Sequence, residues 1–251
     1  MGTQAVKKRK GRSSKGHLLS HLYIWMLIIF ILFPIYIVIE SSFNPTGLLT
    51  SGSFIPTQFS WANYHLLFSD PHVPFARWIL NSLILASANA IIAIFIGGAS
   101  AFAFSRMKFR GRKIGLQALL LVQVFPSFLA LAAIYVMMER VYTVFPAIGL
   151  GSLGGLLLIY LGGSMGVNIW LLRGYIDTIP MELDEAARID GASTPQVYWL
   201  IFFPLAAPVL AVTALLAFIG TFNEFILASL FLTDVHQRTV AVGLKIGRAH
   251  V

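Results

Sequence analysis

Five apolar runs, each long enough to cross a lipid bilayer as a helix, constrain this chain more than any other feature of its sequence. A helix needs about 20 residues to span about 30 Å of hydrocarbon. The runs cover residues 18–40, 79–104, 114–138, 153–172 and 205–232. They lack the alternation of barrel strands, and helices satisfy their own backbone hydrogen bonds in lipid. The sequence therefore predicts an all-α membrane protein, a polytopic helical bundle with five spans.

The composition and the start of the chain agree with this prediction. Hydrophobic residues make up 57% of the chain and charged residues only 11%, whereas soluble domains carry about 25% charged residues. The basic segment "KKRKGRSSKGH" resembles the start of a secretory signal. The apolar run behind it exceeds the roughly 7–15 residues of a signal core. We therefore interpret it as a retained span.

The placement of positive charge predicts the orientation. The net charge is +8, and the basic residues concentrate before the first span and between the second and third. Cytoplasmic loops of membrane proteins carry such an excess of Lys and Arg. This pattern predicts a cytoplasmic basic N-terminus (residues 1–17) and requires no nucleic-acid partner. The residues concerned are Lys7, Lys8, Arg9, Lys10, Arg12 and Lys15, then Arg106, Lys108, Arg110, Arg112 and Lys113.

The loop between the fourth and fifth spans holds half of the ten carboxylates, namely Asp177, Glu182, Asp184, Glu185 and Asp190. The positive-inside pattern places this loop in the cytoplasm. It reads as two helices with a bend: Gly191 stops the first, and Ser193 or Thr194 caps the second, with Pro195 in its first turn. Leu183, Ala186, Ala187 and Asp190 follow helical spacing and are expected to share one face.

Two interpretations of this acidic helix are open. Charged amphipathic helices commonly lie at lipid headgroups. The inner leaflet is negative and attracts basic rather than acidic segments. The low profile of two alanines on one face favours a protein partner.

The stretch "EAARIDGA", followed after a short interval by "FPLAAP", resembles the EAA loop of ABC importer membrane subunits. The positions that carry the resemblance are Glu185, Ala186, Ala187, Gly191 and Pro204. The resemblance implies the type I importer permease fold (MetI-like), with a transmembrane domain over residues 18–244. It implies an EAA coupling loop at 174–203. Residues 41–78 carry prolines, aromatics and polar residues without helical period, and this composition predicts a folded outer loop with a short helix at "SWANYHLLF".

Further stretches are similar to the G-type permease subunits of bacterial maltose and maltodextrin importers. They include "GSFIPTQFSWANY", "AFAFSRMKFRG", "FPSFLALAAIYVMMER", "NIWLLRGYIDTIP" and "TDVHQRTVAVGL", and the similarity spans roughly residues 20–244. The resemblance implies an ATP-driven sugar importer of the bacterial cell membrane. A permease for another oligosaccharide, or for a glycerol-phosphate-type substrate, is the alternative within the class.

The resemblance also implies the partners and the site. Partners are a second permease subunit of the MalF kind, two ATP-binding subunits and an extracytoplasmic sugar-binding protein. Glu185, Ala186, Ala187, Asp190, Gly191 and Pro204 would form the contact through which the ATPases move the spans. The chain would have no catalytic residues and no metal. No G-x-x-x-x-G-K-[ST] motif occurs in the sequence, so ATP and Mg would be bound by the partner ATPase.

Two short motifs suggest enzymes and are better explained by packing. "GLGSLG" fits a dinucleotide fingerprint but follows no strand, and "GGSMG", centred on Ser164, fits a hydrolase elbow without a base nearby. Gly151/Gly155 and Gly162/Gly166 have the spacing of small-residue pairs that let membrane helices pack closely. His17 and His21 have metal-like spacing without a third ligand.

Asn223 and Glu224 lie deep in the fifth apolar run. An ionisable side chain there is expensive and is a functional candidate by default. Lining the translocation pathway and bonding the partner subunit are both open roles. Glu224 would also be the proton site of a proton-coupled secondary transporter, which is the rival function from another class. The EAA loop argues against that rival.

The end of the chain departs from the resemblance. Similar subunits have a sixth span, and the sequence stops before it at "KIGRAHV". A common sequencing-adapter sequence, read in one frame, encodes Ile-Gly-Arg-Ala-His-Val. We therefore expect residues 245–251 to be an artefact and the sixth span to be missing.

Overall fold

The computed structural model describes residues 14–44 and 59–247, and the regular elements within them are all helices. Most of the predicted basic N-terminus (1–13), the middle of the outer loop (45–58) and the last residues of the expected artefact (248–251) lie outside the described residues. The chain divides into two compact units, one ending at Asp70 and the other beginning at Pro71.

The first unit contains helix α1, Ser14–Phe43, and helix α2, Ala62–Ser69. Helix α2 is the short helix predicted at "SWANYHLLF", and the Ser60 hydroxyl accepts the Ala62 N–H at 3.1 Å. The Asn63 side chain donates to the carbonyls of Ser42 and Asn44, both at 3.1 Å, and so fixes α2 to the end of α1. Aromatic rings reinforce this junction through the contacts of Phe43 with Phe59, Trp61 and Tyr64.

The second unit is a helical bundle in which one long helix packs against three of the others. Helix α3, Phe75–Arg106, contacts the sixth, eighth and tenth helices. The remaining elements follow in chain order. They are α4, Arg112–Val124; α5, Ser127–Val144; a 3₁₀ turn, Pro146–Ile148; α6, Leu153–Ile176; α7, Glu182–Ile189; α8, Thr194–Asn223; α9, Ile226–Phe231; and α10, Val240–Gly247.

Three helices have the length and hydropathy of a membrane span by themselves: Leu18–Phe43 within α1, α3 and α8. Two further spans are formed if bent helix pairs are each counted as one. These are α4 with Leu129–Val144, at 105°, and the two halves of α6, Leu153–Gly163 and Met165–Ile176, at 46°. The described residues therefore contain three helices long and apolar enough to span a membrane, and up to five spans if each bent pair counts as one.

Two predicted spans are interrupted for identifiable reasons. The third run breaks at Phe125 and Pro126, both of which have extended backbone (ψ 125° and 115°). Proline has no N–H for the helix and disfavours helical geometry at the residue before it. The fifth run, predicted at 205–232, begins earlier, at Thr194, and stops at Asn223, because Glu224 has extended backbone (ψ 126°).

Polar side chains on α3 hold the segment that follows α9. The Trp78 indole N–H donates to the Val235 carbonyl at 2.7 Å. Asn81 donates to the carbonyls of His236 and Arg238, both at 2.9 Å. Further along α3, Asn89 donates to the Thr221 hydroxyl on α8 at 2.7 Å. Buried polar groups require such partners, and these bonds fix the register of α3 against its neighbours.

The second unit contains two separate hydrophobic clusters, and the first lies beside α7. It joins the last turns of α3 and α6 to α7 and the start of α8 through Phe102, Leu172, Ala187 and Phe202, among others. Gly98 allows this close approach, because a Cβ there would lie 3.0 Å from the Tyr198 hydroxyl. The other cluster joins α3, α5, α6 and α9 through Leu85, Met138, Leu156 and Phe231, among others.

The predicted glycine pairs of α6 have unequal surroundings. A Cβ on Gly166 would meet the Gln123 side chain at 2.4 Å, so this glycine lets α4 approach α6. Gln123 donates to the Gly163 carbonyl at 3.1 Å across the same contact. Gly162 and Gly151 have nothing within 4 Å of a Cβ, and Gly155 faces the loop that precedes α6. Only Gly166 of the four therefore supports packing between two spans.

Candidate functional site

The acidic segment folds as one short, well-terminated helix, α7. Its first turn carries Glu182, Asp184 and Glu185, and its last turn carries Arg188, an arrangement that complements the helix dipole. Gly191 follows it with φ +82°. Two backbone bonds close this end, from Gly191 N–H to the Arg188 carbonyl (3.1 Å) and from Ala192 N–H to the Ala187 carbonyl (2.9 Å). These bonds form a Schellman motif, so the predicted glycine stop is confirmed.

The start of α8 is fixed by Ser193 and Gln196. The Gln196 side chain accepts the Ser193 backbone N–H at 2.8 Å, as in a capping box. The loop between α6 and α8 is consequently residues 177–193, shorter at both ends than the predicted coupling loop at 174–203. Helical structure in spans α6 and α8 therefore extends closer to α7 than the hydropathy of their ends indicates.

A π-helical segment, Val197–Phe202, interrupts α8 soon after its start. The Phe203 N–H donates to the Tyr198 carbonyl five residues earlier. Pro204, which follows, has no N–H to offer the Leu200 carbonyl, and its ring clashes with that carbonyl in a regular helix. The wider π turn accommodates both effects. Pro204 itself is exposed on α8 and belongs to the span, not to α7.

The face predicted for α7 is not a single surface. Leu183, Ala186 and Asp190 are exposed, but Ala187 is 8% exposed and lies in the first hydrophobic cluster. Asp184, one turn before Ala187, is also buried. Helical spacing alone places Ala187 with its exposed neighbours, because spacing carries no information about the elements packed beneath the helix.

Asp184 is turned inward by an ion pair with Arg106, the last residue of α3. The Arg106 Nε lies 3.1 Å from Asp184 Oδ2, and the two side chains are 5% and 7% exposed. The Nε–H is not aligned for a hydrogen bond, and Asp184 Oδ1 has no hydrogen-bond partner in the described part of the chain. The contact is therefore electrostatic. Removing one member of a buried pair costs about 3–5 kcal/mol, because it leaves an isolated charge.

Arg106 makes three further contacts at this point. Its guanidinium donates to the carbonyls of Ile176, the last residue of α6, and Ile179 in the following turn. It also lies over the Phe202 ring, 5.3 Å from the centroid, a cation–π distance. One side chain thus contacts α6, α7 and the π segment of α8.

A second polar group joins α3 to α6 nearby. The Ser105 hydroxyl donates to Asp177 Oδ1. Asp177 Oδ2 in turn lies 3.4 Å from the Arg173 Nε, one turn earlier on α6. The Arg173 and Asp177 side chains are 27% and 45% exposed, and exposed ion pairs contribute only about 0–1 kcal/mol. Arg106 is therefore the stronger of the two attachments.

The outward face of α7 combines carboxylates with small and apolar side chains. Glu182, Glu185, Ala186 and Ile189 lie at helical spacing on this face, and all are exposed. Ile189 is 86% exposed, the highest value among the large hydrophobic side chains in the described part of the chain. A face with an apolar centre and acidic margins has the make-up of a protein-docking surface. We call Glu182, Glu185, Ala186 and Ile189 the α7 outer face.

Asn223 and Glu224 lie at the break between α8 and α9, and their side chains differ in exposure and in hydrogen-bond partners. The Asn223 side chain is exposed and donates to the Ile219 carbonyl at 2.9 Å. Glu224 is half-buried, and its carboxylate accepts the Leu227 N–H at 2.8 Å and the Ala228 N–H at 3.0 Å. It also accepts the Tyr160 hydroxyl at 2.6 Å. Glu224 therefore caps α9 and ties it to α6.

Within residues 14–44 and 59–247 no group of three or more His, Cys, Asp or Glu side chains is arranged to hold a metal ion. The residues that sequence reasoning missed are Arg106, Asp184 and Ile189. In the sequence, Arg106 is one of the basic residues between the second and third spans that predict the orientation. Its pairing with Asp184 joins positions far apart in sequence. The signal for Ile189 was present, since an isoleucine occurs at i+4 from Glu185 in a strongly acidic helix.

A profile of the family described as "Binding-protein-dependent transport system inner membrane component" matches residues 90–247. The curated relatives include three proteins named "Maltose/maltodextrin transport system permease protein MalG". That of Photorhabdus laumondii is 37% identical, over 93% of this chain and 82% of the relative. That of Vibrio vulnificus is 35% identical, over 90% and 79%. That of Escherichia coli K12 is 36% identical, over 93% and 82%.

A solved structure has the same fold. It is described as the crystal structure of a bacterial ABC transporter involved in the import of the acidic polysaccharide alginate. The match has a TM-score of 0.77 at 21% identity and covers 97% of this chain and 84% of that one. The predicted all-α importer permease fold is confirmed by this likeness together with the family profile.

Proposed function

Because the chain belongs to the family of binding-protein-dependent transport system inner membrane components, we propose that it is the membrane-spanning subunit of an ATP-driven importer of maltose or maltodextrins. The family and the apolar helices make it a multi-pass inner membrane permease. Support for the sugar comes from relatives named for maltose and maltodextrin transport at 35–37% identity over about nine tenths of the chain.

The observation that carries this proposal is the geometry of α7. It is a short acidic helix between two spans, buried at Asp184 and Ala187 and exposed along its outer face. We propose that an ATP-binding subunit docks on this face. The basic residues before α1 and after α3 favour a cytoplasmic N-terminus, which would put α7 in the cytoplasm with the ATPases.

Each residue of the coupling site then has a distinct task. Glu185 attaches through polar contacts, Ala186 permits close approach, and Ile189 supplies apolar area that becomes buried on docking. Asp190 caps the end of α7, and Gly191 makes the turn toward α8. Ala187 acts from the inside, where its small size lets α7 sit against the bundle. Pro204 acts at a distance, by shaping the π segment of α8.

The chain would transmit work and catalyse no reaction. The partner ATPases would bind ATP and Mg, and closure around ATP would displace α7 and, with it, the spans. The other partners are a second, MalF-like permease subunit in the bilayer and an extracytoplasmic sugar-binding protein. The outer loop at 41–78 would contact the sugar-binding protein. We infer no nucleic-acid partner.

The geometry of Glu224 weighs against the proton-coupled alternative. Its carboxylate accepts three hydrogen bonds from Tyr160 and the first turn of α9. These contacts within the chain already explain why a carboxylate occupies this break, because it accepts several hydrogen bonds at once. We propose that Glu224 has a structural role at the α8–α9 break, with exposed Asn223 beside it available to the pathway or to the partner permease.

Uptake by reconstituted vesicles tests the proposal. Vesicles containing this chain, the partner permease and the ATPases would be supplied with ATP on the ATPase side and with binding protein and labelled maltose on the other. We expect accumulation that requires both ATP and the binding protein. Uptake of a different oligosaccharide or of a glycerol phosphate in place of maltose would redirect the substrate assignment. Uptake driven by a proton gradient alone would overturn the importer function.

A further inference from the structure

We propose that Arg106 is a positioning residue that fixes α7 to the helix bundle, so that displacement of α7 moves α3, α6 and α8 together. This inference rests on the proposed function, because it assigns a mechanical role within the coupling of an ATPase to transport. It concerns a residue outside the EAA loop, at the end of a different span, α3.

The first support is the location of Arg106 at a junction of four elements. It ends α3, its Nε pairs with Asp184 of α7 at 3.1 Å, and its guanidinium lies 5.3 Å from the Phe202 ring centroid in α8. Its remaining donors bond the carbonyls of Ile176 and Ile179 at the end of α6. A guanidinium is suited to this task, because it presents several donors in a rigid plane and remains charged.

The second support is the absence of another strong polar tie on α7. Among the described residues, Asp184 is the only α7 side chain that forms an ion pair or hydrogen bond with another element. The other buried side chain of α7 is Ala187, in the first hydrophobic cluster. Alanine buries little apolar area, so packing alone would hold α7 weakly. The helix is eight residues long, too short to be stable without tertiary contacts.

The third support is the continuity between this attachment and the spans. Arg106 is the last residue of α3 and directly follows its buried part. A force applied to Asp184 therefore acts on the end of α3. The same force reaches α6 through the carbonyls at Ile176 and Ile179. Helix α7 is joined to α6 and to α8 by a turn on each side, within the loop at 177–193. Without Arg106 these turns could change shape, and α7 could then move without moving the spans.

The test compares four variants in the assembled transporter. Arg106→Ala removes the attachment, and Arg106→Lys keeps a charge without the planar fork. Arg106→Met combined with Asp184→Leu removes both charges, which is commonly tolerated at buried pairs. Lys108→Ala is the matched control, an exposed cation two residues away.

The readout is the ratio of sugar-stimulated to basal ATP hydrolysis at equal assembly. We expect Lys108→Ala to match the wild type and the Met/Leu pair to assemble while its ratio falls by about tenfold, within the usual range of coupling between sites. Arg106→Lys should recover part of the ratio. A wild-type ratio in the Met/Leu pair would overturn the proposal, even if Arg106→Ala fails to assemble.

A distance measurement separates failure of this inference from failure of the proposed function. The chain contains no cysteine, so Arg110→Cys and Met181→Cys would place two unique spin labels at exposed positions beyond α3 and at the start of α7. We expect a narrow distance distribution in the wild type and a broad one in the Met/Leu pair. Equal widths would overturn the anchoring role. Narrow wild-type distances without any sugar-stimulated hydrolysis would contradict the proposed function and leave the anchoring intact.

Discussion

The Tyr160 hydroxyl donates to Glu224 Oε2 at 2.6 Å and joins the middle of α6 to the break between α8 and α9. The same carboxylate accepts two backbone N–H groups of α9. An acid within an apolar run is therefore fully engaged inside its own chain. Its function is to end one helix and start the next, which a carboxylate does well because it accepts several bonds at once.

Replacing Tyr160 with Phe tests this role. Tyr160→Phe removes one bond to Glu224 and should lower the free energy of unfolding by about 1 kcal/mol, the size found for side-chain hydrogen bonds in membrane proteins. Glu224→Ala should cost more, because the N–H groups of Leu227 and Ala228 lose their acceptor. Thermal unfolding in detergent measures both.

Glu224→Gln should retain ATP-driven uptake without a new pH dependence, and a loss confined to proton-driven uptake would revive the secondary-transporter function.

Gly191 and Gly111 offer a matched pair for the turn after α7. Both have positive φ, +82° and +85°, and neither has an atom within 4 Å of a Cβ. Gly191→Ala and Gly111→Ala should each lower the free energy of unfolding by about 1–2 kcal/mol through backbone strain alone. We expect only Gly191→Ala to reduce sugar-stimulated ATP hydrolysis, because only this turn orients α7. Equal loss of coupling in Gly111→Ala would mean that general strain, and not the α7 turn, is responsible.

Ala186 and Ala187 are neighbours on α7 with opposite environments, the first exposed and the second buried. Ala186→Leu should leave thermal stability nearly unchanged but weaken co-purification with the ATPase, because it adds bulk to the α7 outer face. Ala187→Leu should instead lower the unfolding free energy by about 1–3 kcal/mol through overpacking. If the two variants have the same effects on stability and on ATPase binding, the assignment of inward and outward faces is wrong.

Gly243 and Gly220 provide a packing test away from the coupling site. A Cβ on Gly243 would lie 2.1 Å from the Trp78 ring, whereas nothing lies within 4 Å of one on Gly220. Gly243→Ala should therefore destabilise the bundle by about 1–3 kcal/mol. Gly220→Ala, within α8, should stabilise it by about 0.5–1 kcal/mol, since alanine favours helix. Melting temperatures measure both, and a Gly243→Ala variant as stable as the wild type would contradict the packing of α10 on Trp78.

Local chemistry explains which features could be predicted from the sequence. The apolar runs, the helix stop at Gly191 and the start of α8 after Ser193 depend on residues within one or two turns. The break at Pro126 also has a local cause, and the dipeptide at 125–126 was a signal that hydropathy obscured. The inward turn of Ala187, the pair of Arg106 with Asp184 and the bond of Tyr160 to Glu224 were not predictable in this way. Each depends on packing between helices separated by many residues.

The coupling role of α7 is tested most directly by single-cysteine cross-linking, because the chain has no cysteine of its own. In the otherwise wild-type assembly, a short thiol-to-amine cross-linker would be applied to Ala186→Cys and, separately, to Ala187→Cys. We expect Ala186→Cys to link to the ATP-binding subunit and Ala187→Cys not to link. A link from Ala187→Cys alone, or from neither position in a complex that still imports sugar, would contradict it.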